Sequence, residues 1–142
     1  MALKTLVLFS LLALGQLVPK VVQTCTEESP AKDFQRQHMD PGHFPNNGTY
    51  CNRMMYSRNM THGFCKKFNT FVHESKADVD AVCRERNVTC KNGMGNCHKS
   101  KYTMRITDCS TECPYLTESK EKRIIIACAG HPPVPVHFDR YV

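Results

Sequence analysis

Apolar residues recur at helical spacing in three short segments in the first two-thirds of the chain. Phe34 and His38 lie one turn apart in the first segment, and Val79, Val82 and Cys83 share one face of the third. Clusters of Pro, Asn, Gly and Asp separate the segments, as expected for loops. The spacing therefore predicts three short helices, which cover residues 31–39, 51–59 and 78–86.

Alternation of apolar and polar residues predicts strands elsewhere in the chain. The last predicted strand places Val134, Val136 and Phe138 on one side and Pro135 and His137 on the other. The four predicted strands cover residues 69–73, 102–109, 123–128 and 134–138. Helices that come mostly before strands predict an α+β fold with an antiparallel sheet.

The first residues have the pattern of a secretory leader. Lys4 supplies a positive start, and the apolar run of residues 6–14 is too short to span a bilayer. Small residues at 13–15 and at 22–24 offer two candidate cleavage sites. We predict a leader over residues 1–24 and one domain over residues 25–142, in a secreted protein with no membrane attachment and no repeats.

The nine cysteines indicate a disulfide framework. A metal site would need paired ligands at short spacing, and Cys109 and Cys113 form the only close pair. In a chain with a secretory leader, such a density of cysteines is typical of disulfides. Spacing alone does not fix their connectivity, since eight cysteines allow about 105 pairings.

The charge of the predicted domain is mildly positive. Two of the 19 Lys and Arg residues precede Cys25 and none of the 13 Asp and Glu residues do, so the domain has 17 − 13 = +4. This excess suits a polyanionic partner but does not identify one.

Three segments carry residues suited to cutting RNA without a metal ion or cofactor. They contain His38 within residues 34–40, Lys66 within residues 65–71 and His137 within residues 134–139. One histidine can act as a base and the other as an acid, while the lysine can stabilise charge that develops on a phosphate.

These segments resemble the signature stretches of the pancreatic ribonuclease (ribonuclease A) superfamily, and the resemblance extends over roughly residues 32–139. It implies three helices with a V-shaped antiparallel sheet, an RNA substrate and four disulfides. The implied pairs are Cys51–Cys109, Cys65–Cys113, Cys83–Cys128 and Cys90–Cys97. Cys25 is then left over, and it is either removed with the leader or remains as a free or intermolecular thiol.

The resemblance also assigns roles to individual residues. His38 would be the base, His137 the acid and Lys66 the charge stabiliser, with the two histidines exchanging roles when a 2′,3′-cyclic phosphate is hydrolysed. Thr70 would read pyrimidines, because its hydroxyl can either donate or accept a hydrogen bond. The supporting residues are Gln37 at the phosphate, Asn69 beside Lys66, Asp108 beside Thr70, Lys91 at an upstream phosphate, Asn96 at the second base, Phe138 at the phosphate and first base, and Asp139 at His137.

Some positions depart from the family pattern. Met94 replaces an amide and Ala129 replaces a glutamate that commonly help to read the second base, while Asp33 stands where a cation commonly contacts phosphate. The resemblance therefore implies weaker selection of the second base and a weaker downstream phosphate subsite. Only three residues separate Cys109 from Cys113, against a longer loop in most relatives.

The remaining polar motifs lie outside this set. Asn47, Asn59 and Asn87 begin N-x-[ST] sequons and are candidate glycan sites, of which the resemblance favours Asn59. The other five histidines, His43, His62, His73, His98 and His131, are expected at the surface.

The sequence therefore predicts a secreted, monomeric, pyrimidine-preferring endoribonuclease, with a ribonuclease inhibitor protein as a further partner. The alternative is an angiogenin-like or host-defence protein of the same fold, with weak catalysis and a function in binding. Chains of the angiogenin type lack the equivalent of Cys90–Cys97, which this chain keeps. A purely structural disulfide scaffold is a third and weaker alternative, because it would not need both histidine settings.

Overall fold

The computed structural model describes residues 27–42, 44–111 and 114–142. Its helices are α1 (Pro30–His38), α2 (Tyr50–Ser57) and α3 (Lys76–Ala81), and a short 3₁₀ turn (Val82–Arg84) continues α3. Each helix begins one or two residues before the position that the apolar spacing predicts. The predicted leader and Cys25 lie outside the described residues.

Local capping fixes where these helices begin. The Ser29 hydroxyl accepts a hydrogen bond from the Lys32 N–H at 3.3 Å, and Pro30 occupies the first turn, where its missing N–H is not needed. Ser75 caps α3 in the same way, through the Asp78 N–H at 3.1 Å. Helix α1 ends at His38, because the backbone of the next residue, Met39, is extended.

All strand pairs within the sheets are antiparallel, and the strands form two sheets. One sheet has the strand order β1-β4-β5 and the other β2-β3-β6-β7. The α+β class is thus confirmed. The strands are β1 (Phe68–Val72), β2 (Asn87–Val88), β3 (Cys97–Lys99), β4 (Met104–Thr111), β5 (Tyr115–Lys122), β6 (Ile124–Ala129) and β7 (Val134–Tyr141).

Three of the strands have no counterpart in the prediction. Strands β2 and β3 are only two and three residues long, which is too short for a visible alternation. Strand β5 lies at the edge of its sheet and buries only Tyr115, so most of its residues are polar. Edge strands with charged residues are common because the charges discourage pairing with other chains.

Three buried clusters lie among the described residues, and the two larger ones hold the site in place. In the largest cluster, Phe34 of α1 packs with residues from both sheets, including Val72, Ile106 and Ile126. The second cluster surrounds Tyr50 and Met55 of α2. Because α1 packs against both β7 and β1, its last turn lies between the two sheets.

Three of the four expected disulfides are present. They are Cys51–Cys109, Cys83–Cys128 and Cys90–Cys97. Cys65 is exposed, and its expected partner Cys113 lies outside the described residues, so that pairing stays a prediction. No helix in the described ranges is long and apolar enough to cross a membrane.

The expectation that His73 lies at the surface is wrong, because its side chain is fully buried. Its Nδ1 lies 2.9 Å from the Asp40 carbonyl oxygen and its Nε2 lies 2.7 Å from Thr107 Oγ1. The pairing of β1 with β4 brings Thr107 to the ring. A polar ring with both nitrogens hydrogen-bonded can be buried at little cost. The sequence around His73 does not reveal these two partners.

Candidate active site

Helix α1, strand β1 and strand β7 enclose a cavity of about 510 Å³. This volume lies in the range typical of small-molecule and substrate pockets. Nine of the predicted site residues line it: Gln37, His38, Lys66, Asn69, Thr70, Lys91, His137, Phe138 and Asp139. The structure thus brings both histidines and the lysine to one cavity, although they come from distant parts of the chain.

His38 is held by a hydrogen bond that fixes its tautomer. Its Nδ1 lies 2.8 Å from the Thr70 carbonyl oxygen, which can only accept, so Nδ1 carries the proton and donates. In the neutral ring, Nε2 then keeps a free lone pair. Burial lowers the pKa of His38 to about 4, and the charges of Lys66 and His137 act in the same direction against the Thr70 hydrogen bond. His38 is therefore a neutral base near neutral pH.

Lys66 lies half-buried at the centre of a hydrogen-bonded group. Its Nζ donates to Gln37 Oε1 at 2.6 Å and to Asn69 Oδ1 at 2.9 Å, and Asn69 Nδ2 donates to the Gln37 carbonyl oxygen at 2.7 Å. Burial lowers the pKa of Lys66, with the Asp33 charge opposing it. The two amide oxygens aim the ammonium group into the cavity without neutralising it.

Asp33 holds the other end of the Gln37 amide. Gln37 Nε2 donates to both carboxylate oxygens, at 2.9 and 3.0 Å, and the Arg36 guanidinium donates to Oδ1 at 2.6 Å. Burial alone would raise the pKa of Asp33, but the Gln37 hydrogen bond and the Arg36 charge outweigh it and the pKa is lowered. The carboxylate at this position is therefore engaged inside α1.

His137 has the opposite arrangement to His38. Its Nε2 lies 3.2 Å from Asp139 Oδ1, so Nε2–H donates to the carboxylate and Nδ1 is left for another partner. Asp139 also accepts from the Lys91 N–H at 3.1 Å and from Arg140. Burial alone would raise the pKa of Asp139, but these hydrogen bonds outweigh it and the pKa is lowered. The His137 side chain is exposed and can reach a ligand in the cavity.

Two irregularities in the pairing of β7 with β6 place His137. Ile126 faces Phe138 and Ile125 faces Arg140, so Asp139 is an extra residue on β7. A second shift between Ala127 and Cys128 precedes His137. Such bulges bend a strand and redirect its side chains, and here the His137 ring and the Asp139 carboxylate meet on either side of Phe138.

Thr70 and Phe138 face the cavity on the side of His38. The Phe138 ring is roughly stacked on the His38 ring, with centroids 5.4 Å apart and an angle of 29° between planes. Thr70 Oγ1 donates to Asp108 Oδ1 at 2.8 Å. Asp108 lies on β4, directly opposite Thr70 in the pairing of β1 with β4. Asp108 itself is buried behind Thr70 and does not line the cavity.

Of the loop closed by Cys90–Cys97, only Lys91 borders the cavity. Lys91 is exposed and lines the cavity. Asn96 does not line it, and its Nδ2 donates to the Cys128 carbonyl oxygen at 3.2 Å. Met94 and Ala129 are both exposed. The structure therefore separates the predicted second-base residue Asn96 from the cavity that holds the histidines.

Tyr141 and Arg140 line the cavity but were not among the predicted site residues. The predicted strand stopped at Phe138, whereas β7 continues to Tyr141. Continued alternation past Asp139 would have been the signal, and the extra residue at Asp139 disrupts it. Lys120, which contacts Asp108, belongs to the unpredicted strand β5.

One group of possible metal ligands occurs in the part of the chain that the structure describes. It consists of Cys90, Cys97 and Asp139. The two sulfurs are bonded to each other, so neither is available as a thiolate ligand. This group therefore has only one usable donor, the carboxylate that also holds His137.

The three candidate glycan sites are exposed and differ in how their amides are used. Asn87 Nδ2 donates to the carbonyl oxygens of Gly95 and Cys97, at 2.9 and 3.0 Å, and a glycan would replace one of those hydrogens. Asn47 uses only its oxygen, which accepts from Thr49. Asn59 follows α2 with a φ of 60°. Asn47 and Asn59 thus remain the more suitable candidates.

The cavity combines the groups required for acid–base chemistry on a charged ligand. A neutral imidazole nitrogen, a second imidazole oriented by a carboxylate, and an ammonium group all border the same space. Such a set can remove one proton, deliver another and stabilise negative charge between them.

Comparison with known proteins gives a consistent result. A family model described as pancreatic ribonuclease matches residues 29–139. The seminal ribonuclease of Bos taurus is 54% identical over 150 aligned positions, which cover 100% of this chain and 100% of that protein. The pancreatic ribonuclease of Lemur catta is 55% identical over 148 positions, covering 98% and 95%. The pancreatic ribonuclease of Sus scrofa is 57% identical over 124 positions, covering 82% and 100%.

Proposed function

The chain belongs to the pancreatic ribonuclease family, and from this we propose that it is a secreted endoribonuclease that cuts single-stranded RNA on the 3′ side of pyrimidines. The observation that carries the proposal is that the two imidazole rings are held through different nitrogens, Nδ1 in His38 and Nε2 in His137. The Thr70 carbonyl leaves Nε2 of His38 as a base, and Asp139 leaves Nδ1 of His137 to carry a proton into the cavity.

The first step is a transphosphorylation. His38 Nε2 takes the proton of the ribose 2′-hydroxyl, and the 2′-oxygen attacks phosphorus to form a 2′,3′-cyclic phosphate. His137 Nδ1 gives its proton to the departing 5′-oxygen, while the Lys66 ammonium stabilises the charge on the phosphoryl oxygens. RNA supplies the nucleophile, so DNA, which lacks the 2′-hydroxyl, is not a substrate.

The second step reverses the roles. His137, now neutral, takes a proton from water, the resulting oxygen attacks the cyclic phosphate, and His38 returns its proton to the 2′-oxygen. The product is a 3′-phosphate, and both histidines recover their starting states. None of these steps needs a metal ion or a cofactor.

Selection of the first base rests on Thr70 and Phe138. The Thr70 hydroxyl can accept from the N3–H of uracil or donate to the N3 of cytosine, and the Phe138 ring borders the same space. Both side chains line the cavity beside His38, which supports a base site next to the reacting phosphate.

Selection of the second base should be weak. Ala129 and Met94 offer neither a carboxylate nor an amide, and the Asn96 amide is already hydrogen-bonded to Cys128. Cleavage of CpA, CpG and CpC by the purified protein tests this. Some preference for CpA is expected, because the Cys128 carbonyl takes only one of the two Asn96 amide hydrogens and a bidentate amide contact to adenine contributes about 1–3 kcal/mol; a strong preference for CpG would contradict the proposal.

The angiogenin-like alternative is not favoured, because the Cys90–Cys97 bridge is formed and its loop supplies the Lys91 N–H to Asp139. The proposal also includes a monomeric protein and a ribonuclease inhibitor protein as a partner, both on the grounds of family membership.

The test is an assay of the purified protein on poly(C), poly(U), poly(A) and single-stranded DNA. We expect cleavage of poly(C) and poly(U), much slower cleavage of poly(A), and none of DNA. Equal rates on poly(A) and poly(C) would contradict pyrimidine selection, and cleavage of DNA would contradict the use of the 2′-hydroxyl.

A further inference from the structure

The carboxylate of Asp108 is shared by three donors. Thr70 Oγ1 donates to Oδ1 at 2.8 Å, the Tyr141 hydroxyl donates to Oδ2 at 2.5 Å, and Lys120 Nζ lies 3.2 Å from the same Oδ2. Asp108 is 5% exposed. Since a carboxylate only accepts, the single hydroxyl hydrogen of Thr70 points at Asp108 in this arrangement.

This group joins the two sheets beside the cavity. Tyr141 lies on β7 of the four-stranded sheet, whereas Asp108 and Lys120 lie on β4 and β5 of the three-stranded sheet. Lys120 Nζ also donates to the Tyr141 hydroxyl oxygen at 3.2 Å and lies 5.2 Å from the centre of its ring. The hydrogen bond to Asp108, together with burial, raises the pKa of Tyr141, so its hydroxyl remains a donor.

The two pyrimidines make different demands on Thr70. Uracil presents an N3–H, so the Thr70 hydroxyl must accept and can keep its own hydrogen on Asp108. Cytosine presents an N3 acceptor, so Thr70 must turn its hydrogen away from Asp108 toward the base. A buried carboxylate that loses a donor is penalised unless other donors remain.

Two donors, the Tyr141 hydroxyl and the Lys120 ammonium group, remain at Oδ2 of Asp108 when Thr70 turns away. Hydrogen bonds and a cation at one carboxylate also make it a weaker acceptor for each further donor, so the hold of Asp108 on Thr70 is reduced. We propose that Tyr141, assisted by Lys120, is a positioning residue that sets the preference between cytosine and uracil by freeing the Thr70 hydroxyl to donate to cytosine. This inference rests on the proposed role of Thr70 in reading the first base.

The test compares kcat/KM for CpA and UpA, which share the second base. Tyr141→Phe should lower the CpA-to-UpA ratio by about threefold to tenfold, the scale of one net hydrogen bond. Asp108→Ala should raise the ratio, because nothing then holds the Thr70 hydroxyl. In the Asp108→Ala background, adding Tyr141→Phe should leave the ratio unchanged, since Tyr141 acts through Asp108.

Tyr102→Phe is the matched control, because Tyr102 is 71% exposed and does not line the cavity. Lys120→Met gives a second route and should shift the ratio in the same direction, even if Tyr141→Phe fails to fold. The inference is overturned, and the proposed function is not, if Tyr141→Phe leaves the CpA-to-UpA ratio unchanged. The same holds if Tyr141→Phe changes the ratio equally in the wild-type and Asp108→Ala backgrounds. If the wild-type protein cleaves neither dinucleotide, the proposed function is overturned and this inference with it.

Discussion

His38 and His137 differ in the atom that fixes each ring, and this difference supports the roles proposed for them. A carbonyl oxygen holds Nδ1 of His38, whereas a carboxylate holds Nε2 of His137. The hydrogen bond to the carboxylate leaves Nδ1 of His137 available for the proton that the proposed acid delivers. The buried His38 is suited to receive one.

Replacing either histidine should remove most of the activity. We expect His38→Ala and His137→Ala each to lower kcat/KM on poly(C) by at least about a hundredfold, the scale of general acid–base catalysis. His62→Ala is the matched control, because His62 is exposed and does not line the cavity. A His38 or His137 variant with the wild-type rate would exclude that residue from the mechanism.

The acidic limb of the pH profile should lie well below the ordinary range of histidine. His38 must be neutral to accept the 2′-hydroxyl proton, so kcat/KM falls as pH drops through its pKa. Burial places that pKa at about 4 rather than 6.5 in the free enzyme. The profile for CpA cleavage should therefore rise near pH 4, and it should be bell-shaped because the proposed mechanism needs one histidine neutral and the other protonated. An acidic limb at or above pH 6.5 would contradict the burial of His38.

Among the elements, those that carry His38 and His137, and the strand that follows Lys66, can be recognised from sequence. The apolar spacing of residues 31–39 and the alternation of residues 69–73 and 134–138 predicted α1, β1 and the first part of β7. Apolar residues of all three elements, Phe34, Val72 and Phe138, lie in the largest buried cluster or pack against it, so the pattern reflects their burial. The segments that contain His38, Lys66 and His137 predict acid–base chemistry on RNA.

The sequence pattern did not predict the contacts that cross between elements. The bulge at Asp139 breaks the alternation of β7, and the polar edge strand β5 has no apolar face to record. Tyr141 and Lys120 were missed for these reasons. The sequence does not reveal the burial of His73, because its partners, Asp40 and Thr107, are distant in the sequence and only the fold brings them together.

The disulfides should contribute unequally to stability. Cys83–Cys128 closes a separation of 45 residues and Cys90–Cys97 a separation of 7, and a longer loop restricts the unfolded chain more. Replacing Cys83 and Cys128 by Ala should therefore lower the free energy of unfolding by roughly 1.5 kcal/mol more than replacing Cys90 and Cys97.

Urea unfolding of the two double variants, followed by circular dichroism, gives this comparison. The Cys90→Ala/Cys97→Ala protein serves as the matched control, because it also loses one bridge and two buried sulfurs. Equal losses in the two variants would show that loop length does not set the contribution of these bridges.

At the scale of the whole molecule, the cavity is arranged for an anion. Lys66, Lys91 and Arg140 line it, and its two carboxylates, Asp33 and Asp139, are both engaged by donors of the protein. The chain as a whole carries a formal charge of +6. An excess of cations around a cavity raises the local concentration of a polyanionic substrate, and this contribution weakens as salt is added.

The most direct test of metal-free cleavage through the 2′-hydroxyl is to follow CpA cleavage by phosphorus NMR in the presence of EDTA. We predict that cytidine 2′,3′-cyclic phosphate appears first and is then converted to cytidine 3′-phosphate, and that the deoxycytidine analogue is not cut. Products that carry a 5′-phosphate, or activity that EDTA abolishes and a divalent ion restores, would contradict the mechanism.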